Sequence, residues 1–298
     1  MIECPRMKPA RLLLWGFAAA LAAHAQLITL TKEQMLKFTA KNPFERFEDG
    51  RPKVPDALIE RLKGMSAEDV WTILPGKGFP NHFAGDFKLT KPGQKLVGRV
   101  VTVQFMPVRG DLNEIIASEG KQRGSFGGQN QWVIDQLQPG DVVVVDLFGK
   151  NEYGTFVGDN LAYYIMQKTK TGIVVNGAVR DLEGIATFDL PLYYKHSHPT
   201  PIRDVMLTGF NVPIRIDGIT VMPGDILLGD REGISIVPPQ LVEDVVKRGE
   251  DTKIHDDWTK MKFREGKYKS SDIYGSPRDP ELRKEYEEYK KKQMGASK

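Results

Sequence analysis

The chain has 298 residues, with 42 Lys and Arg against 39 Asp and Glu, and a single cysteine. This length can bury one large core or two ordinary ones, and 40% hydrophobic with 27% charged residues is a globular composition. Lone Cys4 excludes an intrachain disulfide framework and a Cys-rich zinc module, and a net charge of +3 argues against a nucleic-acid-binding surface.

Arg6, Lys8 and Arg11 precede the apolar run 12–23, and Ala23-His24-Ala25 sets small residues at a cleavage position before Gln26. This is the anatomy of a secretory signal peptide, and the run is short for a bilayer span. Residues 1–25 are expected to be removed on export to the periplasm or the exterior, leaving no membrane span. Without Arg6, Lys8, Arg11 and Glu3 the net charge falls from +3 to +1, and Cys4 is lost as well.

Residues 26–65 read as a polar, helical N-terminal extension broken at Pro43, Pro52 and Pro55. Residues 75–93 are Gly- and Pro-rich and read as loop. The β-branched run 96–105 predicts a strand, 111–137 is mixed with a short helix near 132–137, and 142–147 predicts a buried strand. The stretch 159–170 has helical spacing of Leu161, Ala162, Ile165 and Met166; an apolar strand follows at 172–176 and a short helix at 181–187. Strand, helix, strand in this span predicts a βαβ unit with a parallel pair. Pro-rich loops around Pro191, Pro199 and Pro201 lead to short strands at 212–216, 219–221, 226–229 and 234–237. Pro238-Pro239 opens a helix over 241–248, and 281–292 alternates acids and bases as an exposed helix or tail does.

Chemistry concentrates at the two loops flanking the βαβ helix. Gly158-Asp159-Asn160-Leu161 stands where a loop feeds a helix, and backbone N–H groups there lack intrahelical partners and hold anions well. Arg180-Asp181 follows the next strand at the same sheet edge. An arginine there can clamp a carboxylate through two hydrogen bonds, and an aspartate offers a hard oxygen to Mg²⁺ or Mn²⁺. Taken alone, the same residues also read as an N-cap and a surface ion pair.

Several phrases in fixed order carry a stronger signal. They are Lys95-Leu96-Val97-Gly98-Arg99-Val100-Val101-Thr102-Val103, Pro139-Gly140-Asp141-Val142-Val143-Val144-Val145-Asp146, Gly158-Asp159-Asn160-Leu161-Ala162 and Gly172-Ile173-Val174-Val175-Asn176-Gly177-Ala178-Val179-Arg180-Asp181. Asn211-Val212-Pro213-Ile214, Val221-Met222-Pro223-Gly224-Asp225 and Asp230-Arg231-Glu232-Gly233-Ile234-Ser235-Ile236-Val237-Pro238 complete the set. Over residues 66–275 the chain resembles the RraA-like family, which includes the regulator of ribonuclease activity A and the 4-hydroxy-4-methyl-2-oxoglutarate aldolases. Residues 276–298 fall outside the resemblance as a charged C-terminal tail, and 26–65 as the extension.

The resemblance implies an α/β fold, a swivelling-type α/β/β sandwich with helical N- and C-terminal extensions. It implies a homo-oligomer, trimer or hexamer, with sites at subunit interfaces. For function it implies a divalent-metal-dependent class II pyruvate aldolase or decarboxylase. Such an enzyme cleaves a 4-hydroxy-2-oxo acid of the 4-hydroxy-4-methyl-2-oxoglutarate type, or oxaloacetate, to release pyruvate. Gly158, Asp159, Asn160, Leu161 and Arg180 would then bind the small 2-oxo acid substrate. Arg180 and Asp181 would be catalytic, and Asp181 would ligate the Mg²⁺ or Mn²⁺. The alternative is a non-catalytic regulatory or ligand-binding member of the same family. Where the family commonly has Asp-Gly ahead of the Arg-Asp turn, this chain has Asn176-Gly177, which changes a charge near the implied metal and leaves the matched Arg180 and Asp181 in place. His196-Ser197-His198 reads as loop histidines placed to line the pocket, because Pro199 and Pro201 follow and no third ligand stands at motif spacing.

Overall fold

The computed structural model describes residues 29–296, so the leader expected at residues 1–25 lies outside the described residues. In chain order come helices α1 (Lys32–Phe38), α2 (Asp56–Leu62) and α3 (Ala67–Trp71), then strands β1 (Phe83–Ala84), β2 (Lys88–Leu89) and β3 (Leu96–Pro107). Next are α4 (Gly110–Gln122), α5 (Gln129–Ile134), β4 (Asp141–Lys150), α6 (Asp159–Thr169), β5 (Ile173–Val179) and α7 (Leu182–Ala186). Strands β6 (Leu192–Ser197), β7 (Val205–Phe210), β8 (Ile214–Ile216), β9 (Ile219–Val221), β10 (Ile226–Gly229) and β11 (Ile234–Val237) follow. Helices α8 (Val242–Arg264), α9 (Ser270–Ile273) and α10 (Pro280–Ala296) close the chain.

The main sheet runs β1-β11-β10-β3-β4-β5-β6-β2. Its centre, β3 to β6, is parallel, and the flanking pairs are antiparallel. Strand β3 is long enough to serve two neighbours on one edge. Its first half pairs with β10 (Val97↔Leu228) and its second half with β7 (Val103↔Phe210), with a register shift between Gln104 and Phe105.

Alternation along a strand sends neighbouring side chains to opposite faces, so a run such as Val142-Val143-Val144-Val145 needs cover on both. One face gets helices: Val143, Val145, Ile173 and Val175 pack with Ile134, Ala162, Ile165 and Ile185. The other face gets the β8–β9 hairpin: Val142, Val144 and Val174 meet Ile214, Ile216, Ile219 and Val221. Helix layer, sheet and hairpin make the α/β/β sandwich. Residues near the N-terminus join a third cluster, in which Ile59, Leu62 and Val70 pack with Val245, Val246, Ile226 and Leu228. Among the described residues no helix is long and apolar enough to cross a membrane.

Several local expectations need correction. Within the described residues 29–65 the polar segment is helical only at α1 and α2; Arg46 and Arg51, not helix propensity, organise the chain between them. Residues 110–122 form a helix despite Gly110 and Gly120. The latter sits under Trp132, where an added Cβ would come within 2.3 Å of the indole. The stretch expected as Pro-rich loops carries two strands, β6 and β7, so His196 lies in a strand. Pairing with β5 and with β3 supplies the hydrogen bonds that local sequence does not announce. The helix expected over 241–248 runs on to Arg264, because tertiary contacts bury Trp258, Thr259 and Lys262.

Candidate functional site

The βαβ unit β4–α6–β5 sets the site at the carboxyl ends of parallel strands, the usual place for ligands in an open α/β sheet. The connection from β4 to α6 is pinned to the end of β5. Phe156 N donates to Ala178 O at 3.0 Å, and Arg180 N donates to Val157 O at 3.0 Å. Buried Asn130 adds a bond from Nδ2 to Phe156 O at 2.7 Å. These bonds bring two sequence-distant pairs together, Gly158-Asp159 and Arg180-Asp181.

The approach is close enough that a side chain at 158 would displace its neighbours. A Cβ on Gly158 would lie 2.2 Å from Asp181 Oδ2 and 3.0 Å from Arg180 Nε. Gly184 in α7 makes the reciprocal allowance, since a Cβ there would come within 2.7 Å of Asp159 Oδ2. Gly158 is the N-cap of α6 and, with no side chain, leaves the cap unfilled. Of the first-turn amides, Asn160 N is taken by Asp159 Oδ1 at 2.7 Å. Asp159 N and Leu161 N are the N-terminal donors that the helix itself cannot satisfy.

Asp181 occupies the N-cap of α7 at φ 56°, a left-handed conformation uncommon for a residue with a side chain, and makes no capping hydrogen bond. Its carboxylate meets Arg180 Nε at 3.4 Å, with the two side chains 36% and 40% exposed. As a stability element such a pair contributes little. As a binding element it is well placed. The Arg180 contact with Asp181 uses Nε alone, so the two terminal nitrogens are outside that contact, and Asp181 is not consumed by its helix. The structure thus brings all six sequence-nominated residues to one place: Gly158, Asp159, Asn160 and Leu161 on one loop, Arg180 and Asp181 on the other. A separate cavity of about 820 Å³ lies at the opposite end of α6, bounded by Arg99, Gly140, Lys170, Thr171 and Asp189. It shares none of these six residues.

Residues around the site extend the sequence-based set. His198 N donates to Val179 O at 3.1 Å, which seats His198 beside Arg180. The Tyr153 ring packs on His198 with centroids 5.2 Å apart, and His198 Nδ1 lies 3.0 Å from Thr200 Oγ1. The signal in the sequence was the run Leu192-Tyr193-Tyr194-Lys195-His196-Ser197, whose aromatic content marks a strand ending at the site.

Behind the site, Asn176 Nδ2 donates to Asp146 Oδ1 at 3.3 Å, and Phe148 N donates to the same oxygen at 2.9 Å. Both side chains are buried. Burial pushes the Asp146 carboxyl upward, against the two hydrogen bonds that favour its charged form. The amide at 176 therefore serves as donor to a buried acid. Asn176→Asp would set two carboxyls within hydrogen-bond reach, forcing one to keep its proton. The expected result is a loss of about 1–3 kcal/mol at neutral pH that shrinks toward pH 4 as the pair becomes protonated, read from thermal melts across pH.

Fit to a divalent metal follows from the same geometry. The missing Cβ of Gly158 leaves Asp181 Oδ2 against the loop, and one carboxylate suffices for Mg²⁺ or Mn²⁺ when water completes the shell. Among the described residues no cluster of three or more His, Cys, Asp or Glu offers a softer, fully protein-ligated site.

Gly158→Ala separates site geometry from stability. The atoms in the way are side-chain ends on a half-exposed surface, so they can swing aside at little cost. That swing moves Asp181 and Arg180 off position. Activity is expected to fall about 10²-fold with the melting temperature nearly unchanged. A large drop in melting temperature would place the role of Gly158 in folding instead.

Comparisons with known proteins bear on the family and the fold. The family model RraA-like, described as Aldolase/RraA, matches residues 77–236. Protein DlpA of Legionella pneumophila is 26% identical over 192 residues, covering 64% of this chain and 29% of DlpA. A protein of Ectopseudomonas mendocina named "Putative 4-hydroxy-4-methyl-2-oxoglutarate aldolase" is 36% identical over 131 residues, covering 40% of this chain and 80% of that one. Two further curated relatives are spanned over 58% and 54% of their length, so the chain covers little more than half of them. Among solved structures, Streptomyces coelicolor RraAS2 superposes with a TM-score of 0.61 at 24% identity, over 70% of this chain and all of that one. That likeness bears on the fold.

Proposed function

Because the chain belongs to the RraA-like family, we propose that it is a divalent-metal-dependent lyase that releases pyruvate from a 4-hydroxy-2-oxo acid or from oxaloacetate. The observation that carries this reading is the contact of Gly158 with Arg180 and Asp181, which sets a free guanidinium edge, an uncapped carboxylate and helix-terminal amides around one point. The relatives named as aldolases of 4-hydroxy-4-methyl-2-oxoglutarate support that substrate type.

In this reading Arg180 holds the substrate carboxylate through its two terminal nitrogens, a match in shape as well as charge. Asp159 N and Leu161 N donate toward the 2-oxo oxygen, where negative charge gathers as the bond between C3 and C4 breaks. The electron pair of that bond passes into the three-carbon fragment as an enolate, the C4 hydroxyl gives its proton to water as that carbon becomes a carbonyl, and the enolate takes a proton from water at C3 to leave as pyruvate. Donors fixed by the backbone need no reorientation as the charge develops, which is why they lower the barrier. A Mg²⁺ or Mn²⁺ ion held by Asp181 supplies Lewis-acid polarisation of the 2-oxo group when bound. Decarboxylation of oxaloacetate leaves the same charge on the same oxygen, so both activities belong to one site.

Arg180 and Asp181 remain partly exposed in the single chain. A second subunit covering that side, in a trimer or hexamer, would exclude water from the reaction. The leader at residues 1–25 would place this activity in the periplasm or outside the cell.

The test is an assay of the purified protein with Mg²⁺ and either oxaloacetate or 4-hydroxy-4-methyl-2-oxoglutarate, read as pyruvate. Turnover abolished by chelator and lost in the site variants supports the lyase. Saturable binding of pyruvate without any turnover would instead establish a non-catalytic ligand-binding member of the family.

A further inference from the structure

The chain contains the same turn twice, and only one copy has its cation. In Pro139-Gly140-Asp141 and Pro223-Gly224-Asp225 the glycine stands at φ 85° in both cases. Each aspartate reaches back to cap its own turn: Gln138 N donates to Asp141 Oδ2 at 2.7 Å, and Met222 N donates to Asp225 Oδ2 at 2.9 Å. Both aspartates are buried, at 1% and 6% exposure. They differ at the second oxygen. Asp141 Oδ1 meets the buried Arg51 guanidinium at 3.2 Å, whereas among the described residues no side chain pairs with Asp225 Oδ1.

Asp225 lines a cavity of about 210 Å³. The walls include Phe38, Phe79, Ile236 and Pro238, which are apolar, and His82. His82 is 3% exposed; its Nδ1 lies 3.0 Å from Phe79 O, and its Nε2 is buried without a partner. A ring nitrogen facing a carbonyl carries the proton, so Nε2 is an acceptor. Thr39, Asn81, Thr220 and Gln240 also line the cavity, and Asp225 is the one acidic side chain among its lining residues.

We propose that this cavity binds a small organic cation, an ammonium or guanidinium group on a compact apolar body, whose N–H donors pair with Asp225 Oδ1. The ligand would do for Asp225 what Arg51 does for Asp141. Burial without a countercharge also pushes the Asp225 carboxyl up to about 8, so at neutral pH it keeps its proton, and an entering cation takes the place of that proton, which leaves to water. The site is distinct from the Gly158–Asp181 region. Asp225 O accepts from Val100 N at 2.8 Å, in the first half of β3, whereas Arg180 follows the far end of β5. The inference does not rest on the lyase reading.

The experiment is calorimetric titration of the full chain with benzylamine and with benzyl alcohol, an uncharged molecule of nearly the same shape. Benzylamine is expected to saturate one site per chain, and the alcohol to bind about tenfold or more weakly, as loss of a charge-assisted hydrogen bond implies. Asp225→Asn keeps an acceptor for Met222 N and removes the charge, and is expected to weaken benzylamine to the level of the alcohol. Equal binding of the two compounds, no saturable binding of benzylamine, or unchanged binding in a folded Asp225→Asn protein would each overturn the proposal. The comparison of the two compounds on the native chain stands even if the variant does not fold.

Discussion

Replacing Arg180 by alanine is expected to lower kcat/KM for pyruvate release by about 10³-fold, with the melting temperature changed by little more than a degree. The size follows from what the guanidinium would do. It would hold the substrate carboxylate with two parallel hydrogen bonds and stand beside the charge that develops on bond cleavage, and alanine removes both. The small effect on stability follows from exposure, because the Arg180–Asp181 contact is solvated on both sides. Arg180→Lys is the informative companion, since it keeps the charge and loses the fork. Activity restored fully by lysine would mean that the site needs only a positive charge. Asp181→Asn keeps a residue tolerant of the left-handed φ of 56° and weakens a hard oxygen ligand. It is expected to raise the Mn²⁺ concentration needed for half-maximal activity by about tenfold or more. Unchanged activity in both Arg180→Ala and Asp181→Asn would sink the lyase assignment.

Arg51→Met is expected to cost about 3–5 kcal/mol of folding stability, because it strands a buried carboxylate. Arg51 and Asp141 are 3% and 1% exposed and meet at 3.2 Å. Burial pushes the Asp141 carboxyl up, and Arg51, the Gln138 amide and Arg99 pull it back; upward wins. Without Arg51 the carboxyl must rise further. An acid whose folded value lies above its unfolded one loses stability as pH rises from the unfolded value through the folded one. The deficit of Arg51→Met against the native chain is therefore expected to be smallest near pH 4, below which Asp141 is protonated in both states, and to widen toward neutral pH. Chemical denaturation at several pH values reads it directly. Adding Asp141→Asn should recover part of the loss, since the amide needs no cation.

The six candidate site residues were legible in the sequence because each belongs to a local motif. Gly-Asp opens a helix, and Arg-Asp follows a strand. That both loops stand at one sheet edge was legible too; the close packing of Gly158 on Asp181 was not, since it depends on backbone bonds from Phe156 to Ala178 and from Arg180 to Val157. These join segments whose sequences carry no mark of the pairing. Tyr153 was missed as a neighbour of Arg180 for the same reason; His198 was expected as a loop histidine at the pocket, and Pro199 drew attention away from the strand that ends at Ser197. Asn176 read as a lost charge near the metal; in the fold it donates to Asp146, so the substitution suits a buried acid already present.

By itself the sequence determined the parallel βαβ unit, the buried valine strands, the short strands from 214 to 237 and the family, because period, turn residues and local phrases act over a few neighbouring positions. Tertiary structure alone decided three things. Pairing with β5 and β3 made strands of residues 192–197 and 205–210. Packing on the sheet turned the N-terminal segment into part of a hydrophobic cluster. Two chemically identical Pro-Gly-Asp turns became different, one neutralised by Arg51 and one left facing a cavity. The physical reason is common to all three: burial and charge pairing are set by what arrives from far along the chain, and a local window contains no record of it.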